Sequence, residues 1–118
     1  MQRPGTNPDH VEMTDILCDF CHRAWSEDQP FIEGHRGACI CGRCLTVAYS
    51  EIETNQSGVR PEADPDAGGC RMCLEHRDEL HWQSPVDPEA FICRRCTKQS
   101  AGVLHKSPDY AWTKPTAG

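Results

Sequence analysis

Eight of the nine cysteines in this 118-residue chain fall into four Cys-x-x-Cys pairs, and the pairs repeat with a single spacing. Cys18 and Cys21 are followed, after 19 residues, by Cys41 and Cys44; Cys70 and Cys73 are followed, after 19 residues, by Cys93 and Cys96. A shift of 52 residues superimposes all eight without a gap. Beyond cysteine the agreement is thin, with Glu27 on Glu79, Ala38 on Ala90, Ile40 on Ile92 and Arg43 on Arg95, so the repeat rests on spacing.

The cysteines matter because little else in the chain can hold a fold together. Leu, Ile, Val and Phe together supply 18 residues of 118, below the roughly 20 percent at which chains are ordinarily disordered. Burial at about 25 cal/mol per Å² cannot offset about 1.5 kcal/mol of ordering entropy per residue with so few large side chains, so the folded state needs cross-links.

Disulfides and metal ions are the two ways cysteine can supply them, and the redox compartment usually decides between the two. Residues 1–15 carry Pro4, Pro8, Asp9, Glu12 and Asp15 and no apolar run of signal-peptide length, and no stretch approaches the ~20 apolar residues of a membrane span. These features point to a cytoplasmic chain without a membrane segment, and an odd cysteine count also argues against a closed disulfide framework. Two cysteines three apart on a tight turn form one edge of a tetrahedron with Zn–S near 2.3 Å, and a second such turn completes it. The expectation is two Zn²⁺ ions per chain, one held by Cys18, Cys21, Cys41 and Cys44 and one by Cys70, Cys73, Cys93 and Cys96. Iron takes the same thiolates and is the alternative the sequence leaves open.

Between the paired turns of the first copy, Phe31-Ile32 and Ala38-Cys39-Ile40 flank Glu33-Gly34-His35-Arg36-Gly37, which reads as a hairpin. After Cys44, Leu45, Ala48, Tyr49 and Ile52 fall at i, i+3, i+4 and i+7, the stripe of a helix with one buried face. The second copy follows the plan more loosely, with Pro85 and Pro88 in its turn, Phe91-Ile92 before Cys93, and Thr97, Ser100, Ala101 and Leu104 on its helix. Gly102 weakens that helix by about 1 kcal/mol relative to alanine. The fold class is therefore small α+β and metal-stabilised: two tandem treble-clef-like four-cysteine zinc fingers, each running knuckle, hairpin, knuckle, helix, able to pack as an internal pseudo-dimer. The divisions are a disordered tail over 1–14, finger 1 over 15–53, a Pro, Gly and acid-rich linker over 54–68, finger 2 over 69–105 and a flexible tail over 106–118.

The segment LCDFCHRAW…FIEGHRGACICGRCLTVAYSEI resembles the C4-type zinc-binding domain at the N-terminus of ClpX, the unfoldase of a bacterial AAA+ protease, and GCRMCLEHRDEL…EAFICRRC resembles a second, more divergent copy. The shared features are the cysteine spacing, the apolar residue before the second turn (Ile40, Ile92), Phe91 before that in copy two, and the following helix. The resemblance implies that all eight paired cysteines are zinc ligands, and that the domain is not catalytic but dimerises and binds adaptors and substrates. The chain departs from the family's larger members in having no GxxxxGK[ST] phosphate loop, so the resemblance reaches only the recognition part.

The expected partner is another protein, met as an internal pseudo-dimer or as a homodimer. A nucleic-acid-binding finger is the alternative, using Arg94, Arg95 and Lys98. Against it, the formal charge is −6, with 12 Lys and Arg against 18 Asp and Glu, and each Zn(Cys)₄ centre adds a net −2. The basic residues beside the cysteines, Arg43, Arg71, Arg94, Arg95 and Lys98, read more simply as offsetting thiolate charge. A third reading sets His10-Val11-Glu12 with Cys41-x-x-Cys44 as a zinc deaminase layout with Glu12 as proton shuttle. Ile40 stands where that layout has proline, and Cys18 and Cys21 would be orphaned. Cys39 matches Phe91 and reads as a buried apolar thiol; His22, His35, His76 and His81 recur at no matching position and read as surface or packing residues. Glu51, Glu53, Glu62, Asp64 and Asp66 read as a solvated stretch, and Tyr110 and Trp112 as a docking motif or as aromatics that fold back onto a finger.

Overall fold

Each pair of knuckles is joined by a short antiparallel hairpin and followed at once by a helix. The structure, a computed structural model, describes residues 1–60, 69–75, 78–107 and 112–115. In the first unit β1 (Phe31–Glu33) pairs with β2 (Cys39–Cys41), and α1 (Gly42–Tyr49) continues into a wider π-helical turn over Ser50–Thr54. In the second, β3 (His81–Gln83) pairs with β4 (Phe91–Cys93), leading into α2 (Arg94–Lys106). The helical stripes read from the sequence face inward: Leu45, Ala48 and Ile52 are buried in the first unit, and Thr97, Ser100, Ala101 and Leu104 in the second. Gly102 does not interrupt α2, because the residues that bury the helix lie on either side of it.

The gapless 52-residue shift conceals an offset in the hairpins. Phe31 pairs with Cys41 whereas His81 pairs with Cys93, so the first strand of the second hairpin corresponds to that of the first at a shift of 50, not 52. The turn between the strands is accordingly five residues (34–38) in one unit and seven (84–90) in the other. An offset of two keeps every strand residue on its own face, since side chains alternate with period two, and so costs the core nothing. The structural counterparts are then Ile32 with Trp82, which face Ile40 and Ile92 across their hairpins, and Gly34 with Ser84, whose amides donate to Ala38 and Ala90 carbonyls at 2.7 and 3.0 Å.

Those counterparts meet the opposite unit. Met72, in the second unit's first knuckle, accepts a hydrogen bond on its carbonyl from the His35 amide at 2.8 Å, and Phe20, at the matching knuckle position, accepts one from the Ser84 hydroxyl. The Phe20 and Trp82 rings lie 5.7 Å apart, tilted by 32°. Gly34 abuts Met72 so closely that a Cβ would lie 2.7 Å from the Met72 carbonyl oxygen. With α1 against α2, the two units share one buried cluster that runs from Phe20, Ile40 and Leu45 through Met72, Trp82 and Ile92 to Leu104. Neither unit's apolar residues would close a core alone; pooled, they do.

The N-terminal stretch, expected from its composition to be unstructured, is tied to the first unit. Gln2 bridges to Ile16, the Arg3 amide donates to the Asp15 carbonyl at 2.6 Å, and the Met1 ammonium meets the buried Asp19 carboxylate at 2.8 Å. In the linker, Val59 exchanges both backbone hydrogen bonds with His81, at 2.8 and 2.7 Å, adding a short bridge beside β3. Residues 61–68, with Glu62, Asp64 and Asp66, lie outside the described residues, as do His76 and Tyr110. Among the described residues no helix is long and apolar enough to cross a membrane.

Candidate metal centres

The knuckle is a backbone device before it is a ligand set. In the first, the His22 amide donates to the Cys18 carbonyl and the Cys18 amide to the Arg23 carbonyl, both at 2.9 Å; in the second, Leu74 donates to Cys70 at 2.8 Å and Cys70 to Glu75 at 3.1 Å. The residue after the second cysteine sits in the left-handed region in both, His22 at φ 62 and Leu74 at φ 63. Each knuckle is docked on the second strand of its own hairpin by one equivalent bond, Asp19 amide to Cys39 carbonyl at 3.0 Å and Arg71 amide to Phe91 carbonyl at 2.8 Å. The other pair of ligands opens the helix: Cys41 and Cys93 occupy the N-cap positions of α1 and α2.

This brings together the sulfurs of Cys18, Cys21, Cys41 and Cys44 in one set and of Cys70, Cys73, Cys93 and Cys96 in another, each within 4.8 Å of one another. The separations Cys18–Cys44 at 3.9 Å, Cys21–Cys41 at 3.7 Å and Cys73–Cys93 at 3.9 Å are far beyond a disulfide bond. They match the edge of a tetrahedron with Zn–S near 2.3 Å, about 3.8 Å. Backbone amides point at the sulfurs as they would at thiolates: Phe20 and Cys41 donate to Cys18 Sγ at 3.4 and 3.3 Å, Met72 to Cys70 Sγ at 3.3 Å and Cys96 to Cys93 Sγ at 3.4 Å. Three ligands of each set are buried and the fourth, Cys21 or Cys73, is half-buried.

Four thiols this close cannot all ionise without a cation among them. Hydrogen bonds from Cys18 and then Cys44 pull Cys41 down to about 4, while bonding to Cys18 and Cys41 pushes Cys44 far above the ordinary thiol range. In the second set bonds from Cys93 and Cys96 pull Cys70 down, and bonding to Cys70 pushes Cys93 and Cys96 up. A divalent ion held by either set would take the place of those shared protons and, as structural zinc, would supply about 10 to 16 kcal/mol to folding. The two four-cysteine sites fit two zinc ions, and a complete set of four protein ligands leaves no open coordination position.

The remaining singled-out residues fall outside both sets. Cys39 is buried, its Sγ 3.6 Å from the Gly37 carbonyl, and burial raises its pKa. His22 Nε2 lies 3.1 Å from Asp87 across the unit boundary. Burial works against ionising Asp87, but the Glu89 amide and His22 outweigh it and hold the carboxyl below its usual range. His81 is buried, with Nδ1 2.8 Å from the Glu79 carbonyl. His10 and Glu12 are exposed and join neither set, Glu12 capping the short 3-10 turn Met13–Asp15. Sequence reasoning did not find the inter-unit seam, because its residues carry no chemical signature: Gly34, Met72 and Ser84 act through backbone, shape and a single hydroxyl.

Fold and site together define a tandem zinc-binding protein of small α+β units, each built around a four-cysteine centre. Residues 16–54 match the family model of the ClpX C4-type zinc finger, which establishes for the first unit the resemblance read from its residues. The second unit is not matched; its likeness to the first rests on the repeated ligand set and knuckle geometry. No curated protein and no solved structure matches the chain.

Proposed function

We propose that the chain is a non-catalytic zinc-binding module that holds a short apolar segment of a partner protein. The observation that carries this reading is a groove of about 250 Å³ at the boundary between the units. Phe20, Trp82 and Pro85 line it, Val47 and Val86 stand exposed along it, and Arg23 and Arg43 supply two cations. That volume suits one or two side chains rather than a small molecule, whose sites run from about 300 Å³ upward. Arginines beside an apolar floor favour a segment whose apolar residue is followed by a carboxylate. The equivalent groove on the other unit is lined by Glu33, His35, Gln99 and Ser100, so the duplicated surface offers one apolar and one polar version.

The nucleic-acid reading is weaker on the same grounds. Arg94 Nε is 2.6 Å from Glu53, and the Arg95 amide is taken by the Glu79 carboxylate at 3.2 Å, so acidic groups are interleaved with the cations that would form a phosphate-binding face.

Selection from a displayed peptide library on the zinc-loaded chain tests the proposal. Enrichment of apolar-acidic sequences, lost with Val47→Asp at unchanged zinc content, is the expected result. No enrichment, or enrichment indifferent to Val47→Asp, overturns it.

A further inference from the structure

Trp112 follows the second unit in the chain but lies on the first. Its indole Nε1 donates to Thr46 Oγ1 at 2.9 Å and to the Gly42 carbonyl at 3.1 Å, and the Thr46 hydroxyl itself donates to that carbonyl at 2.9 Å. An indole N–H is a donor only, and the first turn of α1 presents it with two acceptors already held in place. Pro30 and Arg43 line the same notch. Gly42 makes the floor: a Cβ there would lie 3.0 Å from Pro30 Cγ and 3.4 Å from Trp112 Cδ1. The second unit lacks this pair of residues: Arg94 and Lys98 replace Gly42 and Thr46 at the matching helix positions, and Arg94 reaches instead to Glu53. Two residues after Trp112, the Lys114 amide donates to His105 Nδ1 at 3.2 Å, returning the segment to the end of α2.

We propose that this notch on the first unit is a binding site for a tryptophan-bearing peptide segment, and that Trp112 of the chain occupies it in cis, making the tail a built-in competitor for partner segments of the same chemistry. The site shares Arg43 with the apolar groove, but its two acceptors, Thr46 Oγ1 and the Gly42 carbonyl, belong to residues outside that groove's lining, and the proposal does not rest on the groove. The tail's advantage over a free partner is its tether: α2 ends at Lys106, and so short a connection gives an effective concentration on the order of millimolar. A free segment must exceed that to displace it.

The test uses the full-length, zinc-loaded, ¹⁵N-labelled chain and a synthetic peptide spanning residues 107–118. In Trp112→Ala, whose notch lacks its indole, the peptide is expected to move the Gly42, Arg43 and Thr46 amides saturably. In the unaltered chain the same shifts should need roughly tenfold or more peptide. A second arm keeps the tail and changes the acceptor: Thr46→Val, of the same shape, should shift the Trp112 indole proton signal, assigned by its loss in Trp112→Phe, and speed its exchange with solvent. Peptide at several millimolar that leaves Gly42 and Thr46 unmoved in Trp112→Ala, or that moves both proteins alike, overturns the proposal. So does a dimeric native chain beside a monomeric Trp112→Ala, which would assign the tail to a second copy. Should Trp112→Ala lose its zinc, the Thr46→Val arm decides, and an indole signal unchanged there overturns the proposal.

Discussion

The backbone amide of His35 donates to the backbone carbonyl of Met72 at 2.8 Å, joining the hairpin turn of one zinc-binding unit to the knuckle of the other. In the other direction the Ser84 hydroxyl donates to the carbonyl of Phe20, the knuckle position matching Met72, so each unit's knuckle accepts one hydrogen bond from the other unit's hairpin turn. The chain has too few large apolar residues for two separate cores, and the two units, each with its four-cysteine set, share one buried cluster.

The seam is testable at Gly34, where an added Cβ would lie 2.7 and 2.8 Å from the Met72 carbonyl oxygen and Cα, atoms of a knuckle pinned by its own hydrogen bonds. Gly34→Ala is expected to cost about 1 to 3 kcal/mol, the range for overpacking. Thermal unfolding of the zinc-loaded protein measures it, and native mass spectrometry should still count two zinc ions. An unchanged midpoint would mean that the units do not rely on this contact.

Metal content and pH are linked through the thiols. Cys41 is held at about 4 against an ordinary value near 9, a depressed pKa. Its ionisation therefore contributes stability that is fully present above about 9 and is lost as pH falls through about 4. Cys44, Cys93 and Cys96 are raised and must give up protons to a metal, so zinc affinity at both sites should rise with pH. Colorimetric titration of released zinc is expected to show two ions per chain retained at neutral pH and released on acidification; a pH-independent affinity would contradict thiolate ligation.

Leu74 is nearly half exposed and held at φ 63, a conformation glycine adopts without steric cost. Leu74→Gly should raise stability by about 0.5 to 1 kcal/mol through relief of that strain. His22→Gly relieves the same strain but removes the contact with Asp87, so the gain there should be smaller. Chelator-induced unfolding of the two variants side by side checks the difference, and equal gains would show that the His22–Asp87 pair contributes nothing.

Cys39 lies in the strand between the two knuckles and outside the ligand set. Cys39→Val should leave the zinc count at two and change stability by less than about 1.5 kcal/mol, as size-conserving core changes do. Loss of one zinc ion would instead place Cys39 among the ligands of the first centre.

Both ligand sets were legible in the sequence because a metal site is a local pattern: a tight turn with two thiols, repeated at a fixed interval, carries its geometry in its spacing. The helix stripe from Leu45 to Ile52 was legible for the same reason. The two-residue offset between the hairpins was not, since a gapless cysteine alignment conceals a longer turn in one copy when a shorter approach to its first strand compensates. Nor was the ordering of residues 1–15, whose Pro and Asp content reads as loose until Gln2 meets Ile16 and Asp19 gains its partners.

The sequence by itself thus determined which eight sulfurs form the two centres and that a chain with so few large apolar residues needs cross-links. The tertiary structure decided that the two units close on each other, that Gly34 and Met72 form the seam, and that Trp112 rests on α1 rather than on α2. The physical reason is the range of the interactions: ligand spacing and helical period act within a few tens of residues and leave a pattern, whereas packing between distant segments depends on shape and on backbone groups that every residue carries alike.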